Sequence, residues 1–180
     1  MNKMLANFVL FLCVVLCGST FSVARSELYM MPYEQAQALK SLQDALKRAQ
    51  KYIDISIYNF TNREIAKTLR DGANRGVQIR IIYDKDSAKD SRSTIGYLEK
   101  YNNITTCTLK GRKAQNGNYY GIMHQKMAII DKNLLYIGSA NWSKNAFENN
   151  YETLFFDDDS YLVNKALNAF EKMIKECERF

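Results

Sequence analysis

Four side chains stand at spacings that would let them do chemistry together. His124, the only histidine in the 180-residue chain, lies two positions before Lys126. Ser139 and Asn141 repeat that spacing just after Gly138. On a β-strand residues i and i+2 point to one face, so each pair would project together. The set combines an imidazole that titrates near neutrality, a fixed positive charge and two polar hydrogen-bonding groups. An imidazole can act as nucleophile or proton carrier, and fixed donors can stabilise charge developing on phosphoryl oxygens. Attack on a phosphodiester needs those parts. Asp131 follows Lys126 by an odd number of residues and opens an Asp-Lys-Asn turn, so it points away from the pair and takes a structural role.

The elements that must position these residues alternate along the chain. Leu28–Pro32 reads as a short strand. Residues 34–50 carry Ala38, Leu42, Ala45, Leu46 and Ala49 on one helical stripe. Tyr52–Tyr58 alternates as a strand. Thr61 or Asn62 can cap a helix with Ile65, Leu69 and Ala73 inward, ended by Gly72 and Gly76. Val77–Tyr83 and Ile104–Leu109 are further strands, with a short helix at Ser93–Tyr101 between them. Residues 84–92 and 110–120 read as polar loops. Gln125–Ile130 and Leu134–Ile137 form two strands joined at residues 131–133. A helical turn at Ser143–Phe147 and a strand at Tyr151–Phe156 follow. A terminal helix spans residues 159–178 with Leu162, Ala166, Ala169, Phe170 and Ile174 inward. Such alternation predicts an α/β sandwich around a central, largely parallel sheet that becomes mixed toward the C-terminus.

The chain is long enough for one sizeable domain, expected over residues 25–180. Its formal charge is +6, which favours a polyanionic partner such as nucleic acid or an anionic membrane surface. Residues 1–24 hold one charge, Lys3, and the apolar run Phe8–Leu16, and end on Ser22-Val-Ala24. This is a secretory signal, or an uncleaved membrane anchor although the run is short for a span. Leu16 is too large for the position before a lipidated cysteine, which argues against lipidation at Cys17. Export would leave +5 after removal of Lys3, in a periplasmic or membrane-associated protein. Of the four cysteines, Cys13 and Cys17 fall in the leader. Cys107 and Cys177 could pair as a disulfide or remain buried thiols. Their isolation, with one histidine, argues against a zinc site, and no metal is expected.

The order His124-x-Lys126, Asp131, Gly138-Ser139 and Asn141 resembles the HKD motif of the phospholipase D superfamily, and the alternating pattern agrees with that family's αβα sandwich. The resemblance implies that His124 attacks phosphorus to form a phosphohistidine. It assigns Lys126 and Asn141 to the non-bridging oxygens and Ser139 to a hydroxyl near the histidine. Glu152, eleven residues after Asn141, corresponds to a glutamate that orients the imidazole in Nuc-type relatives, as an aspartate does in a catalytic triad.

This chemistry also needs a group to protonate the leaving oxygen. With no second histidine in the chain, two copies must pair, His124 facing His124 across a two-fold axis. No metal or other cofactor is required. The single motif and short chain are similar to the Nuc-type endonucleases, some of them exported and membrane-associated. Arg112, Lys113, Tyr119 and Tyr120 precede His124, and Trp142 and Lys144 follow Asn141. Basic residues beside aromatics suit a nucleic-acid strand, single-stranded DNA first and RNA second. For Trp142, core packing is an equal reading. Lys85, Lys89 and Arg92 either extend the groove or are ordinary solvated charges. Two other functions fit the same residues: a phospholipase D-type lipid hydrolase, and a non-catalytic DNA-binding protein of an uptake machinery.

Overall fold

The structure, a computed structural model, describes residues 24–180. The expected leader, with Cys13 and Cys17, lies outside the described residues except for Ala24. No helix among the described residues is long and apolar enough to cross a membrane.

The chain order is β1 (Ser26–Met31), α1 (Gln35–Arg48), β2 (Tyr52–Ile57), α2 (Arg63–Asn74), β3 (Gln78–Asp84), α3 (Ile95–Leu98), β4 (Ile104–Lys113), β5 (Tyr120–Ile122), β6 (Lys126–Ile130), β7 (Leu134–Gly138), α4 (Lys144–Glu148), β8 (Glu152–Asp157), α5 (Ser160–Glu176) and β9 (Glu178–Arg179). The strands form one mixed sheet ordered β1-β8-β7-β6-β2-β3-β4-β5, with β9 added to β4. The αβα sandwich is as expected, but the sheet is not largely parallel. Only β2–β3 and β3–β4 run parallel, and the other six pairings are antiparallel. The reason is local. Helical crossovers join β2 to β3 and β3 to β4, whereas β6 and β7 meet at Asp131-Lys132, with φ of 49° and 59°. Two consecutive left-handed residues make a type I′ turn, which forces an antiparallel hairpin.

One face of the sheet is covered by α1, α2 and α4, whose apolar stripes meet Ile53, Ile55, Ile57, Ala128 and Ile130. The stripe read from α1 is buried as expected, Ala49 included. Asn62 caps α2 by accepting from Glu64 N (3.0 Å) and Ile65 N (3.2 Å). Gly76, at φ +95°, ends the turn after it, while Gly72 lies inside the helix. The other face is covered by α5, where Val163, Ala166, Leu167, Phe170 and Ile174 pack on Ile82, Met127, Ile129 and Leu135. Leu162 and Ala169, expected inward, are exposed. Asp159 caps α5 through Leu162 N (3.0 Å), and the turn it sets presents Val163 instead.

The alternating strand β2 is central and buried on both faces. Its polar positions are paired: Asp54 accepts two bonds from Arg80 (2.6 and 2.8 Å), and Arg80 also reaches Glu171 of α5 (2.6 Å). The two carboxylates raise the Arg80 pKa, so the bridge keeps its charge while tying α5 to the sheet. The expected loop at 110–120 is largely a hairpin of β4 and β5. Its strands touch at Gly111, where a Cβ would lie 2.3 Å from the Gly121 carbonyl carbon.

Cys107 of β4 and Cys177 after α5 form a disulfide, with Cα atoms 5.8 Å apart and a sequence separation of 70. A loop of that length constrains the unfolded chain by about 4 kcal/mol. Cys177→Ser, or reduction, is expected to lower the urea-unfolding free energy by that order. Equal unfolding midpoints with and without reductant would contradict it.

Candidate active site

His124 does not lie in a strand. It sits in the segment between β5 and β6, and β6 begins only at Lys126. Three anchors fix that segment. Met123 N donates to the buried Asp84 carboxylate (3.1 Å), Tyr58 N donates to Gln125 O (2.9 Å), and Ser56 Oγ donates to Gln125 Oε1 (2.7 Å). Asp84 and Tyr58 stand at the carboxyl ends of the parallel strands β3 and β2, the end at which α/β sheets gather ligands.

The two central residues meet as expected. Lys126 Nζ is 3.1 Å from each ring nitrogen of His124 and donates to the His124 carbonyl at 2.9 Å. Equal distances place the ammonium over the ring rather than along either lone pair. His124 is exposed, whereas Lys126 is 7% exposed. Burial lowers the Lys126 pKa and the negative charge of Glu152 opposes that shift. The Tyr58 ring closes the group, its centroid 4.5 Å from that of His124 and 5.1 Å from Lys126 Nζ.

Gly138 is required by close approach: a Cβ there would lie 2.2 Å from Thr153 O of β8. That contact brings the end of β7 against the start of β8. Ser139 Oγ donates to Glu152 Oε2 and accepts from Thr153 N (2.9 Å). Within the chain, Glu152 bonds to this hydroxyl and not to the imidazole. Its carboxylate is taken by Ser139 and by Asn150 Nδ2 (3.3 Å), and it acts on Lys126 through charge. Asn141 bonds to none of these side chains. Its Oδ1 is buried without a hydrogen-bond partner, an unspent polar group of a kind that costs roughly 1–3 kcal/mol and gathers at functional sites. A cavity of about 480 Å³ opens beside His124 and Lys126, floored by Met127, Ile137, Thr153 and Phe155.

Asp131 has the expected structural role, at the far end of β6. Its carboxylate accepts from Gln50 N (2.8 Å), Lys51 N (2.7 Å) and Tyr52 N (2.9 Å), fixing the entry to β2. Among the described residues no three His, Cys, Asp or Glu side chains cluster as a metal set.

Of the residues expected to grip nucleic acid, Arg112, Lys113, Tyr119 and Tyr120 are exposed on the β4–β5 hairpin that leads into His124. Lys110 lies over the Tyr120 ring at 5.5 Å, and Lys144 is exposed at the start of α4. Trp142 is a correction. It is 2% exposed, packs edge-on against Phe60 at 5.1 Å, and its carbonyl accepts from Thr61 N and Asn62 N. That locks it in the core, where no base can stack on it. Lys85, Lys89 and Arg92 pair with Glu178, Asp86 and Asp90. Sequence reasoning missed Tyr58, Asp84, Ser56 and Gln125, although the ends of parallel strands were a usable signal for the first two.

A sheet of this order with this His-Lys pair defines the phospholipase D class. The family described as "Cardiolipin synthase, PLD-like domain" matches residues 42–174, and the chain belongs to it. NucT from Helicobacter pylori is 50% identical with a TM-score of 0.86, covering 88% of this chain and 100% of that one. Nuc from Salmonella typhimurium, a phospholipase D family member, shares the fold at 23% identity and a TM-score of 0.74, over 88% of this chain and 99% of that one. The mitochondrial cardiolipin hydrolase of Mus musculus is 30% identical over 148 residues, 82% of this chain and 62% of that protein. The chain thus spans less than two thirds of that relative's length.

Two predictions follow from this geometry. Asp131→Ala removes three charge-assisted bonds and is expected to cost roughly 2–3 kcal/mol in urea unfolding, leaving the His124–Lys126 pair at the other end of β6 in place. In a ¹³C NMR titration, Lys126 is expected to lose its proton below the usual lysine range. Glu152→Gln should move it lower still, because the charge opposing desolvation is gone. An upward shift would contradict this assignment.

Proposed function

We propose that this chain is a metal-independent phosphodiesterase that cuts DNA, single strands included, with RNA as a second substrate, in a homodimeric site. The observation that carries this reading is the Lys126 ammonium 3.1 Å from both nitrogens of an exposed imidazole at an open cavity. The 50% identity to NucT and the basic, aromatic hairpin beside His124 support nucleic acid as the substrate.

The reaction runs in two displacements. A ring nitrogen of neutral His124 forms the bond to phosphorus as the bond to the leaving oxygen breaks. The partner's His124, entering protonated, gives that oxygen its proton. The same imidazole, now neutral, takes a proton from water, whose oxygen displaces the histidine nitrogen. Lys126 and the side-chain N–H donors of Asn141 hold the non-bridging oxygens, contributions of roughly 3 kcal/mol each in comparable sites. Leu28, Met30 and Ile137, 53%, 48% and 39% exposed, extend the apolar floor of the cavity and give a second copy a surface to cover. Export to the periplasm or its membrane face, by the leader, suits scavenging or uptake of external nucleic acid.

A lipid substrate is the second reading, favoured by the likeness to a protein named a mitochondrial cardiolipin hydrolase and by the same apolar floor. The test is cleavage of circular single-stranded DNA in excess EDTA, with cardiolipin vesicles in parallel. Wild type is expected to linearise the DNA and His124→Ala to lose about 10⁴-fold or more. A dimeric preparation that hydrolyses cardiolipin and leaves DNA intact would replace this reading with the lipid one. DNA binding without cleavage of either substrate would leave only a binding role.

A further inference from the structure

We infer that Tyr58 is the positioning residue of the nucleophile, one aromatic ring that holds both the His124 imidazole and the Lys126 ammonium. The inference rests on the reading of His124 as the attacking group. Imidazoles used in this way are ordinarily aimed by a carboxylate or carbonyl that accepts the proton of the second ring nitrogen. Here Glu152 of the same chain instead accepts from Ser139 and Asn150. Among the described residues the polar side-chain atom within bonding distance of the ring is Lys126 Nζ, and an ammonium has no acceptor to offer an imidazole N–H. Within one chain, then, no acceptor holds the ring, and packing fixes it before a second copy completes the site.

Tyr58 supplies that packing from a rigid position. It directly follows the buried central strand β2, and its N–H donates to the carbonyl of Gln125, the residue between His124 and Lys126. Its ring lies 4.5 Å from the imidazole at an interplanar angle of 57°, a tilted contact within the favourable range for aromatic pairs. The same ring lies 5.1 Å from Lys126 Nζ, inside the roughly 6 Å reach of a cation–π contact, which counts for more where the cation is desolvated. One side chain thus fixes the two catalytic groups relative to each other. Both contacts run through the ring, so the hydroxyl is dispensable.

His124 is the only histidine in the chain, so its ring gives one set of imidazole NMR signals in untagged protein. We expect nuclear Overhauser contacts between the Tyr58 and His124 ring protons, and an upfield ring-current shift of the His124 signals. Tyr58→Phe should keep the shift and wild-type kcat. Tyr58→Leu should lose the shift and lower kcat on DNA about 10- to 100-fold with KM within about twofold, the signature of a misaimed group. Absence of the contacts in wild type, or a folded Tyr58→Leu with wild-type kcat, would overturn the inference. If Tyr58→Leu does not fold, the wild-type contacts and Tyr58→Phe decide it, and loss of activity in Tyr58→Phe would overturn it. Activity retained by His124→Ala would instead remove the reading on which the inference rests, and the two failures are told apart by that variant.

Discussion

Lys126 keeps its ammonium against His124 while almost none of the residue reaches solvent. A buried cation needs compensation, and no carboxylate bonds to this one. The His124 carbonyl accepts one proton, the Tyr58 ring offers its negative face, and Glu152 acts from a distance. The lowered pKa shows that this compensation is incomplete. On the proposed reaction, a phosphodiester brings the missing negative charge, so substrate binding and transition-state stabilisation draw on the same unspent interaction.

The mixed sheet is what makes that arrangement possible. Its parallel part brings the carboxyl ends of β2 and β3, with Tyr58 and Asp84, to the segment carrying His124. Its antiparallel part returns β6, β7 and β8 to the same end with Lys126, Ser139 and Glu152. The close approach of Gly138 to β8 sets the Ser139–Glu152 pair, while Asp131 secures the opposite end of β6. Arg80, bound to Asp54 and Glu171, ties α5 across the sheet beneath. The apolar floor left open beside α5 borders the cavity at His124, which couples the proposed pairing of two chains to completion of the site.

Much of this was legible because local rules and global packing agree. The stripe of α1, the cap at Asn62 and the structural role of Asp131 follow from periodicity and turn chemistry, and the His-Lys pair follows from spacing. What was not legible depended on partners distant in sequence. The polar face of β2 is buried only because Arg80 reaches Asp54, and the loop at 110–120 pairs only because Gly111 can touch Gly121. Trp142 carries no local sign that Phe60 will cover it. Glu152 lies where the motif places it, yet the hydroxyl of Ser139, set by the β7–β8 register, captures its carboxylate. Tyr58 enters the site through a contact between the end of one strand and the approach to another, which no spacing within either segment records.

The most direct test of the account is to quench turnover on DNA and locate the covalent intermediate. With one histidine in the chain, an acid-labile, alkali-stable phosphoryl adduct found on the peptide carrying His124 is the predicted result. An adduct on another residue, or rapid turnover through which no adduct accumulates under any quench and hydrolysis inverts the configuration at phosphorus, would contradict a histidine nucleophile and with it the mechanism built on Lys126 and Tyr58.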